Sequence, residues 1–388
     1  MTGVTVPMLQ SLRLENVADL AGSPGPCLTI LLPPYRPGEQ TNSAASLLRT
    51  YCREAERQLA SRGIADREVA DLLDPVAKLM DAPEFDAGSH WSRALFRSPE
   101  VFTMLDGLEP LKPAIIIGGS FHIRPVLQDL QLPSFFYVLK LTQKKVELWR
   151  CAGLRAERVE LPKGVPDTLE EAMEFEKPDH DLENRSAAGA STGSMRSVRF
   201  GTGSGREKAG DHVADFFKVV DRGLREMLHG KDAPLILAGV NEDAVAYRMV
   251  TAYPRLLPES IHGSGTAPMP EDELLRRAYA ILRADLRRTA AASLLDYRER
   301  RTPARFSTDL NTILRAALDG RVAWLFINEA ARVSGVFDRV RRGGRVNWGD
   351  EDLLNIAAVE TILHGGSAYN LSEPQMPDGA AGAAVFRY

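Results

Sequence analysis

A multi-domain α/β protein is the fold class that this 388-residue sequence predicts. Three observations carry the expectation. Short apolar runs of strand length, closed off by Pro or Gly, recur along the chain. Segments with apolar residues at helical spacing lie between them. A Gly/Ser/Pro-rich stretch at 263–270 sets off the last third. At about 100–200 residues per domain, the length allows about two to four domains.

The first domain is expected over 1–133. Cys27–Leu32 (CLTILL) stops at Pro33-Pro34 and reads as a buried strand. A helix is expected over 41–61, where Leu48, Tyr51, Ala55 and Leu59 recur on one face, and Glu68–Met80 gives a second amphipathic segment. Short runs at Ala94–Phe96, Val101–Leu105 and Ala114–Ile117 follow.

The second domain, 134–262, opens with FFYVLKL (135–141) and VELWRC (146–151), two β-rich runs joined by a polar turn, which is the pattern of a hairpin. Arg158–Leu161 is the expected third strand. The least regular stretch, 163–205, ends in Ser186–Gly205, built largely of Gly, Ser, Ala and Thr. A loop this long inside a domain is usually functional or disordered. Val213, Phe216, Phe217, Val220, Leu224 and Leu228 then share one helical stripe, with Gly230 suited to a C-terminal cap. PLILAGV (234–240) reads as a buried strand and a further helix runs to about Ala252.

The third domain, 263–388, starts with the linker Gly263–Pro270 and a long helix from Glu271 to Arg298, whose seam is Leu274, Ala278, Ile281, Leu282 and Leu286. Ser307 is the expected cap of a helix ending at Asp319-Gly320, directly before the strand VAWLFI (322–327). A basic, hairpin-like segment, Arg332–Arg345, leads to Asp350 as the cap of a helix over Leu353–Leu363, and Ser367–Leu371 is a further strand. Helix then strand, twice, with short loops, implies a parallel α/β layer.

Composition narrows function. Lys and Arg number 48 against 52 Asp and Glu, a net charge of −4. A coat for duplex DNA carries a marked basic excess, so no DNA partner is expected and any nucleic-acid contact is local. Cys27, Cys52 and Cys151 are far apart, which suits a reducing compartment and supports neither disulfide nor zinc. No run approaches the ~18 apolar residues of a membrane helix, and the first twenty residues lack the layout of a secretory signal. The expectation is a soluble cytoplasmic protein without a membrane partner.

Motifs for chemistry are missing. Gly201-Thr202-Gly203-Ser204-Gly205 precedes a helix, but no Lys-Ser/Thr follows as a phosphate-binding loop requires, and the dinucleotide fingerprint is absent. The seven histidines never pair at i,i+4, His122 reads as a structural hydrogen-bonding residue, and there is no HExxH or GxSxG. No catalytic residue, metal or cofactor is therefore expected. Two basic runs stand out. Arg185, Arg196, Arg199, Arg206 and Lys208 are spaced along the Gly/Ser stretch, and Arg332, Arg339, Arg341, Arg342 and Arg345 form a second run with Gly343-Gly344 at its tip. Spaced arginines on a pliant backbone suit a phosphate chain; the alternative for both runs is a solvated surface segment. The long helix alternates its arginines with Asp and Glu, the pattern of a solvated face.

Taken together, GGSFHIRPVLQDL (118–130), FFYVLKLTQKKVELWR (135–150), PLILAGV (234–240), VTAYPRLLPESIHG (250–263) and TDLNTILRAALDGRVAWLFI (308–327), with the segment from Asp350 to the end, resemble the bacterial branch of the archaeal and eukaryotic release-factor and Pelota-type rescue-factor superfamily. The resemblance implies three domains: an N-terminal domain, a middle domain with an RNase-H-like sheet, and a C-terminal α/β/α domain like kink-turn-binding ribosomal proteins. In release factors of this kind a Gly-Gly-Gln loop orients the hydrolytic water. No glutamine lies between Gln143 and Gln375 here. The resemblance thus implies a ribosome-associated factor that contacts ribosomal RNA, or tRNA, near the A site in rescue or hibernation, without that hydrolysis, and a translation-factor partner for the C-terminal domain. The alternatives are an enzyme on the same scaffold, a residual peptidyl-tRNA hydrolase or RNA-cleaving activity, and an adaptor that binds protein rather than RNA.

Overall fold

The computed structural model describes residues 20, 26–34, 44–80, 85, 91–108, 111–142, 144–175, 204–263, 269–300, 305–335 and 351–388. The chain divides into two compact units, Met1–Ser134 with Leu282–Tyr388, and Phe135–Ile281. The architecture is mixed α/β, as the sequence predicts.

In the first unit β1 (Cys27–Leu32) pairs antiparallel with β2 (Ser92–Arg97) and β4 (Ala114–Gly118), and β3 (Phe102–Leu108) joins β2, giving the order β3-β2-β1-β4. Every residue of β1 is buried, because the sheet is covered on both faces. Leu28, Ile30 and Leu32 meet α1 (Ala44–Ser61) and α2 (Asp66–Leu79). Cys27 and Leu31 meet Phe121, Ile123, Val126 and Leu127 on the other side. A strand buried on both faces reads as an unbroken apolar run rather than an alternating one.

The same unit holds a second sheet, ordered β10 (Phe306–Ser307), β15 (Gly382–Phe386), β11 (Val322–Asn328), β14 (Ser367–Leu371). β11 and β14 are parallel and β15 is antiparallel to β11. Leu325 and Ile327 face α7 (Leu310–Leu318) and α8 (Leu353–Leu363), while Phe326 and Val385 face Ala290 and Leu294 of the long helix α6 (Glu271–Arg300). This is an α/β/α sandwich. Nearly all of α8 is buried, which is why it carries almost no polar face. Two caps differ from expectation. Asp309 rather than Ser307 caps α7, accepting from the Thr312 N–H at 2.8 Å; Ser307 lies in β10. Asp352 caps α8, accepting from the Leu354 N–H at 3.1 Å, and Asp350 lies outside the described residues. β12 (Ser334–Gly335) and β13 (Glu351–Asp352) pair antiparallel at the base of the basic segment.

The second unit is built on a five-stranded sheet, β7 (Arg155–Val159), β6 (Val146–Ala152), β5 (Phe136–Leu141), β8 (Leu235–Gly239), β9 (Leu256–His262). In chain order this is 3-2-1-4-5, with the second strand antiparallel and the rest parallel to the first, the RNase-H-like arrangement. α4 (Ser204–Leu228) and α5 (Asn241–Val250) pack on one face through Phe216, Phe217, Val220, Leu224 and Tyr247; α3 (Leu169–Phe175) is a short additional helix. The third strand begins earlier than expected because Gly153, at φ +55°, turns the chain back at once. A Cβ on Gly239 would lie 2.4 Å from the Leu141 carbonyl oxygen, so the parallel β5–β8 approach requires glycine there. Ser204 and Gly205, read from sequence as the end of the loop, are the first residues of α4. α6 (Glu271–Arg300) contributes residues to Ile281 to this unit and from Leu282 onward to the other.

Candidate functional site

The segment after β4 crosses the first unit as Ser120-Phe121-His122-Ile123-Arg124-Pro125-Val126-Leu127-Gln128. Phe121, Ile123, Val126 and Leu127 are fully buried anchors. Pro125 fits the first turn of a 3₁₀ helix, where a missing N–H costs nothing. Anchored this way, the polar residues in between are driven into the interior and must find partners there.

Arg124, 7 % exposed, is the centre. Its Nη1 donates to Asp352 Oδ2 at 2.5 Å, and its Nη2 donates to the carbonyls of Asn328 (3.0 Å) and Ala331 (2.9 Å). Asn355 Oδ1 accepts from the Ile123 and Arg124 N–H groups at 2.9 and 3.3 Å, and its Nδ2 donates to the Phe121 carbonyl at 2.9 Å. Asn370 Nδ2 donates to the Arg124 carbonyl at 2.6 Å, Gln128 Nε2 to the Asn370 carbonyl at 2.7 Å, and Arg287 Nε to Gln128 Oε1 at 2.6 Å. Asp129 accepts from Arg283 Nε at 2.8 Å. Arg124 Nε and Asn370 Oδ1 are buried without a hydrogen-bond partner among the described residues.

This network forms the floor of a cavity of about 990 Å³, lined also by β4, Arg62, Lys112, Glu329, Arg332 and Glu351. That size is in the range of ligand sites. His122 sits in its wall. Its N–H donates to Thr29 Oγ1 at 2.9 Å, and its ring makes no hydrogen bond to another described residue. Burial first, then the Arg124 and Arg332 charges, push its pKa down to about 4 against the opposing pull of Asp352. The imidazole is therefore neutral at pH 7, able to donate one hydrogen bond and accept another. Among the described residues no cluster of His, Cys, Asp and Glu could hold a metal ion.

In the other unit Asp221, 2 % exposed, is a buried polar centre. It accepts from Thr251 Oγ1 (2.6 Å), Arg225 Nε (2.9 Å), the Ala252 N–H (3.2 Å) and Tyr247 Oη (3.3 Å). It is saturated and ties α4 to the end of α5.

The residues expected from sequence to bind RNA are not brought together by the described structure. Arg185, Arg196, Arg199, Arg339, Arg341, Arg342 and Arg345 lie outside the described residues, and Arg206 and Lys208 lie in the first two turns of α4. Sequence reasoning did not single out Arg124, Asn355 or Asp352. The signal was present: Arg124 stands among buried apolar residues, and Asn355 interrupts a helix that is otherwise almost wholly apolar. Among the described residues no helix is long and apolar enough to cross a membrane.

The sheets and their helices thus define a multi-domain α/β protein whose middle unit has an RNase-H-like sheet. Within that class, residues 135–321 match the model of bacterial archaeo-eukaryotic release factor family 3, so the resemblance read from sequence is shown over that stretch. No curated protein matches the chain. Among solved structures, the archaeal translation termination factor aRF1 is 14 % identical, with 97 % of this chain and 99 % of that chain covered and a TM-score of 0.26. Pelota of Archaeoglobus fulgidus is 12 % identical, with 77 % and 80 % covered and a TM-score of 0.37. Archaeal Pelota, described as ribosome-bound with ABCE1, is 9 % identical, with 98 % and 95 % covered and a TM-score of 0.36.

Proposed function

We propose that this chain is a ribosome-associated translation factor of rescue or hibernation type, binding ribosomal RNA in the A-site region without Gly-Gly-Gln-dependent hydrolysis of peptidyl-tRNA. The observation that carries the reading is the release-factor family match over residues 135–321. The sequence supports its finer points. No glutamine lies between Gln143 and Gln375 to orient a water, and arginines are spaced along 185–206 where such factors carry their reactive loop. The three-part division at 134 and 263, a cytoplasmic setting, tRNA as a further contact and a translation-factor partner for residues 263–388 belong to the same proposal.

Sedimentation of the full-length protein with ribosomes through a sucrose cushion, at rising salt, tests it. Phosphate contacts release counterions, so binding weakens steeply as salt rises. The triple variant R196A/R199A/R206A is expected to co-sediment less at every salt concentration, with a shallower salt dependence. Protein that stays in the supernatant at low salt refutes the proposal. Peptide release from peptidyl-tRNA-bearing ribosomes, lost on deleting 186–205, would replace it with the enzyme reading.

A further inference from the structure

We propose that the outer edge of β4 is a docking strand for an extended acidic peptide of a partner protein. All five residues of β4, Ala114 to Gly118, line the cavity of the first unit. Successive residues of a strand point to opposite faces, so a cavity lying on one face of the sheet is lined by alternate residues. A cavity lined by the whole run lies along the edge. β4 is the last strand of its sheet; β1 covers one side, and no described strand pairs on the other. Every second residue of such an edge turns its N–H and C=O outward, a template for one more strand. At about 3.3 Å per residue the edge is about 17 Å long, enough for a partner segment of about five residues.

The surroundings select the partner's charge. Lys112 and Arg332 are exposed on the lining and form no ion pair with another described residue. Arg62 and Arg287, both engaged with neighbouring groups and Arg287 with Gln128 Oε1, also line the cavity. Of the carboxylates there, Asp352 is paired with Arg124 and Asp129 with Arg283, whereas Glu351 accepts from the neutral Gly119 N–H at 3.3 Å and adds a negative charge to the lining. Glu329 is the exposed acid of the lining. The side chains of an added strand therefore meet a basic rim, which favours Asp and Glu. An edge of alternating donors and acceptors matches a peptide backbone, whereas phosphates only accept, so the geometry favours a peptide over RNA.

Panning full-length protein against phage-displayed random decapeptides tests the assignment. Enriched sequences are expected to alternate β-branched residues with Asp or Glu. The leading peptide, made synthetically, is expected to lose on the order of tenfold in affinity against the K112E/R332E variant, whose two positions are exposed and whose fold is checked by circular dichroism. It is expected to lose binding when N-methylated at alternate residues, and its binding should protect the 114–118 amides from hydrogen exchange. The proposal is overturned by a library without enrichment, by winners lacking acidic residues, or by a winner indifferent to N-methylation. Protection of 114–118 by a single-stranded RNA oligonucleotide and not by the peptide overturns it as well.

Discussion

The buried polar centres around Asp221 and Arg124 solve the same problem in opposite ways. Asp221 in the middle unit draws its donors from within 31 residues of chain, and the oxygens are saturated. The Arg124 centre joins residues up to 246 positions apart, borders a cavity, and keeps a buried Nε and a buried amide oxygen without partners among the described residues. Both have a structural task. A saturated centre has nothing left to offer a ligand, while unsatisfied polar atoms beside an open cavity are what a binding site requires. The contrast locates the more promising chemistry in the first unit, of which the release-factor family match covers only residues 282–321.

The largest effect that sharpens this contrast is expected from Arg124→Ala. It removes the Asp352 ion pair and two carbonyl contacts together, and it leaves the Asp352 carboxylate, 9 % exposed, without its cation. Breaking a buried pair from one side costs about 3–5 kcal/mol, and urea denaturation followed by circular dichroism would register it. The double variant R124M/D352N should cost less than the two single changes combined, because neither charge is then stranded. A loss below about 1 kcal/mol for Arg124→Ala would mean that the apolar anchors alone hold the segment in place.

An intermediate effect comes from His122. Its pKa of about 4 in the folded chain lies below the ordinary 6.5. Between those values the unfolded chain binds a proton that the folded chain refuses, so stability falls as pH drops from 6.5 toward 4 and is unaffected by this group above that window. The loss reaches about 2 kcal/mol by pH 5. The groups facing the ring are Asp352, which opposes the effect, and Arg124 and Arg332, which strengthen it. His122→Asn should flatten the difference between urea midpoints at pH 7 and pH 5 relative to the unmodified chain. An unchanged slope would show that the ring reaches water freely, and the cavity wall would then be less closed than its geometry implies.

How far each centre is legible in sequence follows from the same contrast. The strands CLTILL and VAWLFI declare themselves because sheets covered on both faces demand continuous apolar runs. The helix over Leu353–Leu363 is legible from its ends, although Asp352, two residues beyond Asp350, is its cap. β9 is not legible, because an edge strand tolerates the Pro258 and Glu259 that disguise it. The Arg124 centre is not legible either. Its ion pair spans 228 residues, and no local periodicity encodes which arginine will meet which aspartate. The spaced arginines read from sequence lie, apart from Arg206 and Arg332, outside the described residues.

The smallest effect is the sharpest test of what saturation means. Arg225 pairs with Asp221 at 2.9 Å, but its side chain is 46 % exposed. Solvent screens the pair, and Thr251, Ala252 and Tyr247 still donate to the carboxylate after Arg225→Ala. The expected cost is below about 1 kcal/mol. Thr251→Val removes the 2.6 Å bond from inside the protein and should cost about 1–1.5 kcal/mol, more than loss of the formal ion pair. If Arg225→Ala proves as damaging as Arg124→Ala, the middle unit depends on charge rather than on a completed set of hydrogen bonds. Asp221 would then be an ion-pair site sensitive to salt, and the distinction between a closed structural centre and an open one would have to rest on the cavity alone.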